Sequence, residues 1–363
     1  MHRPAPARNL AACLAVLACG AGEPAPAPPA EAPKHGNEMD RAAAAGRADL
    51  VIALLARGAD PNARGVEGWT PLHEAAAHGR REAALALLDA GADPGSGTLS
   101  GFAPLDLAIQ AGDAELAEAL LARGAAFDRR LPGGWTPLHA AARQDLGALA
   151  RALCARGADV SAASDSGWTP LHVAARHASA GTAQVLLELG AAVDARTAPG
   201  DTPLLVAARH AAGATRAIVN VLLDAGAAAE ARDANGRTPL ASAVVEGRLE
   251  TVAALLTRGA RPDTVNDEKM TPLHFAAILD FPEIARALVE RGAAIDARNV
   301  HNATPLYLAA QAGHARLVAE LLAGGADAQA RAIDGTTPFE AATSGGHAEA
   351  AALLRRAGGA QPP

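Results

Sequence analysis

The fold class predicted by this sequence is all-α: a solenoid of stacked helix-turn-helix units joined by short β-turn fingers. Three observations predict it. The tripeptide T-P-L starts at Thr70, Thr136, Thr169, Thr202, Thr238, Thr271 and Thr304, with Ala103-Pro104-Leu105 and Thr337-Pro338-Phe339 in the same slot; every step is 33 residues except the 36 from Thr202 to Thr238. A glycine column (Gly58, Gly91, Gly124, Gly157, Gly190, Gly226, Gly259, Gly292, Gly325, Gly358) keeps the same spacings and marks ten units. Finally, 50% of the 363 residues are hydrophobic but only 2% aromatic, so the apolar mass is largely Ala and Leu, which suits close helix packing better than one large core.

In chain order, residues 1–18 read as a signal peptide. Met1 to Asn9 carry Arg3 and Arg8 and no acid, and Leu10 to Ala18 form an apolar stretch too short to span a bilayer. The segment Val16-Leu17-Ala18-Cys19-Gly20 resembles the lipobox of bacterial lipoproteins, which implies acylation at Cys19. Leu10-Ala11-Ala12-Cys13 fits the same pattern but leaves almost no apolar stretch upstream, and an ordinary secretory signal is the competing reading. Residues 19–36 are rich in Pro and Ala without apolar periodicity and read as an extended tether.

Residues 37–359 form the array: an N-terminal cap unit, eight full units and a C-terminal cap unit. Within a unit, Thr caps the first helix through its hydroxyl, and Pro occupies the first helical position, where a missing N–H costs nothing. Leu, Ala and Ala then make an apolar stripe. The second helix closes on a Leu pair such as Leu54-Leu55, Leu87-Leu88 or Leu321-Leu322, and the column Gly stops it in the left-handed conformation. A polar segment ending in a further Gly (Gly68, Gly101, Gly134, Gly167, Gly200, Gly236, Gly335) turns the chain into the next unit.

The stretch T-P-L-H-x-A-A at Thr70–Ala76, Thr136–Ala142, Thr169–Ala175 and Thr271–Ala277 resembles the signature of ankyrin repeats, and the resemblance covers Asn37 to about Gly359. It departs from the family pattern where array ends need polar faces: Asn37-Glu38-Met39-Asp40 replaces T-P-L-H, and Arg355 replaces the second Leu of a pair. Lys269 and Asn302 take the place of the turn Gly, and three extra residues near Ala211 to Thr215 predict a local bulge or altered superhelix.

Chemistry finds little purchase. A formal charge of -7 disfavours nucleic acid, no apolar run is long enough for a transmembrane helix, and no cofactor motif is present. His73, Glu74 and His78 approach H-E-x-x-H, but a spacing of five turns the two imidazoles roughly 140° apart on a helix. The resemblance implies instead that His73, His139, His172 and His274 are buried hydrogen-bonding residues. Cys154 stands in a Leu-pair position and reads as a small buried hydrophobe. No catalytic residue, metal site or disulfide framework is expected.

Function is therefore expected on surface columns. In ankyrin arrays the partner meets the concave side, through the residue after the turn Gly and the two residues following the A-A pair. The first column reads Trp69, Phe102, Trp135, Trp168, Asp201, Arg237, Met270, Ala303, Thr336; the next contributes Arg143, Arg176 and Arg209, and its neighbour His177 and His210. Neighbouring units would place these side chains about 8–10 Å apart, so the aromatics would form a ladder beside a row of three Arg. The alternative is that each ring merely covers the neighbouring finger. One unit of separation is wide for His177 and His210 to share a metal ion. The implied function is a non-enzymatic, exported and lipid-anchored module, a monomeric array facing the periplasm or the cell surface, that holds a protein partner. A secreted host-directed effector, or a binder of a small anionic or glycan ligand through the Trp and Arg residues, are the alternatives.

Overall fold

The computed structural model describes residues 36–210 and 215–358, and these hold twenty α-helices of seven to ten residues. The described residues form no strand, and an isolated β-bridge joins Leu131 and Trp135. The expected signal peptide with Cys13, the expected tether from Cys19 to His35, and residues 211–214, where the three-residue insertion is expected, lie outside the described residues.

Contacts divide the chain at Ala198 and Pro199 into two units. The N-terminal unit holds α1 (Glu38–Ala44), α2 (Ala48–Ala56), α3 (Pro71–Ala77), α4 (Arg81–Asp89), α5 (Pro104–Gln110), α6 (Ala114–Ala122), α7 (Pro137–Arg143), α8 (Gly147–Ala155), α9 (Pro170–Arg176) and α10 (Ala180–Glu188). Odd-numbered helices pack on odd and even on even, and each odd helix packs on the even helix that follows it, so the unit has two layers. The C-terminal unit repeats the scheme with α11 (Pro203–His210), α12 (Thr215–Asp224), α13 (Pro239–Val245), α14 (Leu249–Thr257), α15 (Pro272–Leu279), α16 (Pro282–Glu290), α17 (Pro305–Ala312), α18 (Ala315–Ala323), α19 (Pro338–Ser344) and α20 (Ala348–Arg356).

Helices this short are unstable alone, so their stability comes from neighbours. Leu72, Leu105, Leu138 and Leu171 are sealed between adjacent odd helices, each burial contributing about 1.5–3 kcal/mol. The Ala pairs (Ala75-Ala76, Ala141-Ala142, Ala174-Ala175) are fully buried, as seven-residue helices flanked on both sides require. In the even layer the first Leu of each pair is buried, as with Leu54, Leu87 and Leu321, while Leu55 and Leu322 are half-buried. Cys154 follows that second position: it is half-buried rather than buried, and its free thiol is pushed up by burial and by nearby Asp159.

The column glycines meet their expectation for a conformational reason. Gly58, Gly91 and Gly124 have φ between 87° and 91°, and a Cβ on any of them would touch nothing. Lys269 and Asn302 adopt φ of 56° and 57° in the turn, the left-handed conformation that suits Asn better than Lys. Arg355 is exposed, as an end-cap position requires.

Candidate binding face

The caps define which side of each odd helix is spent on structure. In α3, the Thr70 N–H donates to His73 Nδ1 at 3.1 Å, and the Thr70 hydroxyl lies 2.8 Å from the same nitrogen. Since Nδ1 accepts, Nε2 carries the proton and donates to the carbonyl of Phe102, 29 residues on. His139 repeats this with Thr136 and the Trp168 carbonyl at 2.9 Å, and His274 with Thr271 and the Ala303 carbonyl at 3.1 Å. Each imidazole thus stitches one repeat to the next. Helix α5 lacks both Thr and His: Ala103 holds the cap position, and the Asp106 carboxylate accepts the Ala103 N–H at 2.8 Å. In α1, Asn37 and Asp40 close a reciprocal box, so the N-terminal cap unit keeps the geometry with different chemistry.

Fingers add a second stitch. The residue after each turn Gly accepts a backbone hydrogen bond that closes its turn, as Trp69 does from Gly65, Phe102 from Thr98 and Trp168 from Ser164. Neighbouring fingers then pair: Leu99 N–H donates to Glu67, Asp165 to Gly133, and Ala198 to Ser166. At Gly167 the approach is so close that a Cβ would sit 3.0 Å from the Ala198 nitrogen.

The aromatic column is not an open ladder. Trp69, Phe102, Trp135 and Trp168 are buried, with 3–6% of their surface exposed. Each Trp ring folds over the His of its own repeat, with centroids 5.9, 5.0 and 5.9 Å apart for Trp69–His73, Trp135–His139 and Trp168–His172. The rings shield the hydrogen bonds between repeats, which corrects the expectation of a contact surface built from them. Trp135 lines a cleft of about 20 Å³ with Gln110, Leu131, Ala140, Arg143 and Gln144.

The expected arginine row also divides. Arg143 and Arg176, the last residues of α7 and α9, are half-buried at the same position of adjacent repeats. The Arg176 Cζ lies 5.8 Å from the Trp168 ring centroid. His177 is exposed on one side, and partial desolvation together with the charges of Arg143 and Arg176 lowers its pKa. Arg209 is different: it is 5% exposed, grips Asp201 through both forks at 2.8 and 2.7 Å, and reaches Asp233 at 3.0 Å. Arg237 Nε donates to the same Asp233 oxygen at 3.0 Å. Arg209 is therefore a buried structural residue rather than a surface cation, because Asp201 stands where the other unit has Trp. His210 is half-buried at the end of α11.

A family model for ankyrin repeats matches residues 39–130, 105–197, 190–266 and 254–332. The chain belongs to the ankyrin repeat family. Among solved structures, it is similar to the human ASB11 ankyrin repeat domain at 31% identity, over 62% of this chain and 99% of that one, with a TM-score of 0.54. No curated protein sequence matches it. Ankyrin repeats generally mediate protein–protein interaction, and the fold is typically a non-enzymatic scaffold.

In this ankyrin array, His73 and Glu74 of the H-E-x-x-x-H stretch are buried while His78 is exposed, and both His73 nitrogens are used in the cap and the stitch. Among the described residues no three His, Cys, Asp or Glu side chains are placed to hold a metal ion, and no helix is long and apolar enough to cross a membrane. A shallow apolar groove of about 670 Å³ lies in the even layer, where Ile52 and Leu55 of α2 face Leu85 of α4.

Burial lowers the pKa of His73, His139 and His274 to about 4, which agrees with an Nδ1 that must stay unprotonated to accept the cap N–H. The unfolded chain takes up protons near the ordinary value of about 6.5 and the folded chain does not, so stability is lost as pH falls from about 6.5 to about 4. Two acids oppose this. Burial raises Asp106 to about 6 and Glu74 to about 7, so protonating them favours the folded chain over part of the same range. The histidines outnumber them, and a net loss is expected. Replacing His139 with Asn should shrink the loss between pH 6.5 and 4 by about 3 kcal/mol, measured by urea unfolding at each pH. An unchanged pH slope would refute the assignment.

Proposed function

We propose that this chain is a non-enzymatic scaffold that holds a protein partner on the open side of its odd-numbered helices, and that it is exported and lipid-anchored at Cys19. One observation carries the binding reading. The side chains that repeat from unit to unit are buried, whereas the column following the Ala pair changes identity and is partly exposed at Ala77, Gln110, Arg143, Arg176, Val245 and Gln311 and exposed at Ser344, with Arg209 and Ile278 its buried members. Variation where packing imposes nothing, on a rigid repeating support, is how a solenoid displays a specific surface. Export and anchoring rest on the lipobox-like Val16–Gly20.

One experiment addresses both parts. A photo-crosslinking amino acid is placed at Gln144, on the variable side, or at Ile52, in the even layer, and the full chain is expressed with Cys19 intact or replaced by Ser. The expected result is a discrete protein crosslink from Gln144 and none from Ile52, with membrane partitioning and fatty-acid labelling lost on Cys19→Ser and kept on Cys13→Ser. Crosslinks from Ile52 alone would move the partner to the other layer, and labelling that follows Cys13 would move the anchor.

A further inference from the structure

The geometry points to Arg143 and Arg176 as a two-pronged receptor for acidic side chains of an extended peptide segment crossing α7 and α9. This rests on the reading above that the open side of the odd helices binds protein, and it names the chemistry of what is bound there.

The two guanidinium groups stand out among the described residues by being half-buried without an ionic or hydrogen-bonding partner. The other half-buried arginines of the N-terminal unit are absorbed: Arg81 pairs with Asp113, and Arg129 donates to the carbonyls of Gly95 and Gly101, while Arg41 and Arg57, also without an ion pair, are exposed to water. Among the described residues no carboxylate pairs with Arg143 or Arg176. The nearest acid in sequence to Arg143, Asp145, turns to the next repeat and accepts the Thr182 N–H at 2.9 Å. Arg176 Nη1 is buried and makes no hydrogen bond. Leaving a partly desolvated cation unpaired is costly, and a fork with unused donors is complementary to an oxyanion that supplies two oxygens. This happens in a chain whose net charge is -7, so the site is a local feature and not an average.

Preorganisation comes from the tryptophan below. The Trp168 ring, itself held by packing on His172, carries the Arg176 guanidinium 5.8 Å above its centroid, which restrains the fork before a ligand arrives. The buried Trp168 ring is thus a platform for the Arg176 cation and not the contact itself. His177, beside both arginines, feels their positive field.

Spacing sets the ligand. Packed helices stand about 8–10 Å apart, and an extended chain rises about 3.3 Å per residue, so two acids three residues apart would reach both forks.

The test pans a displayed random dodecapeptide library on the full chain and measures synthetic versions of enriched peptides by fluorescence anisotropy. Enrichment of Asp or Glu pairs two or three residues apart is expected. Binding should weaken at least tenfold in Arg143→Gln and in Arg176→Gln, with unchanged melting temperatures, and stay unchanged in Arg151→Gln, whose arginine is already paired with Glu188. Arg176→Lys, which keeps the charge but not the fork, should fail to restore full affinity. Enriched peptides without acids that are displaced by Ala140→Trp would overturn the acidic specificity and leave the binding face standing. Peptides indifferent to Ala140→Trp and to both arginine variants, or no enrichment at all, would overturn both readings. Inorganic phosphate alone, raising the melting temperature of wild type but not of the double arginine variant while no acidic peptide binds, would replace the peptide by a free anion.

Discussion

Replacing Asp233 with Ala should destabilise the C-terminal unit by about 3–5 kcal/mol, because it strips a shared carboxylate from two buried guanidinium groups. The side chains of Asp233, Arg209 and Arg237 are 2%, 6% and 3% exposed, so water cannot take over the lost pairing. Arg209 would be left with Asp201. The substitution also removes an acceptor that organises the finger: Asp233 Oδ1 receives the backbone N–H groups of Asn235 at 2.8 Å and Arg237 at 2.9 Å. Asp233→Asn retains an oxygen for those amides and should cost less, though it still leaves the positive charges under-compensated. Urea unfolding followed by far-UV circular dichroism separates the cases, and a loss below about 1 kcal/mol in Asp233→Ala would show that the network is dispensable.

A loss of similar size, about 3–5 kcal/mol, is expected for Trp168→Ala, since a buried indole is replaced by a methyl group in a site that cannot fully collapse. Trp168 is 3% exposed, packs on His172 and underlies Arg176. Its carbonyl, which receives the His139 Nε2–H, remains, so the loss measures the ring and not the stitch. Trp168→Phe should keep most of the stability. An interface hot spot would behave in the opposite way: the melting temperature would stay level and only affinity would fall. The thermal midpoint of the purified variants, measured without any ligand, therefore decides between the two roles.

The parts of this protein that were legible in its sequence are those determined by local physics. A Thr-Pro pair starts a helix wherever it occurs, and a Gly column with φ near 90° ends one, because capping and backbone conformation depend on a few adjacent residues. Their shared period of 33 was enough to imply the all-α array, and the T-P-L-H stretch to imply histidines buried in hydrogen bonds.

What depends on the neighbouring repeat was not legible. Whether Trp135 points outward or folds onto His139 follows from how closely the next finger packs, and the sequence column is the same in both cases. Arg143, Arg176 and Arg209 occupy one column of the sequence, yet only Arg209 is neutralised, by Asp201 eight residues earlier and Asp233 twenty-four residues later. The opposite charges of Asp201 and Arg237 in a column otherwise aromatic or neutral were the available signal. Asp145, two residues from Arg143 in the sequence, holds the amide of Thr182. An ion pair needs its atoms within about 4 Å, a condition set by the packing of one repeat on the next. The sequence alone determined the repeating scaffold; the tertiary structure alone decided which charges remain free to meet a partner.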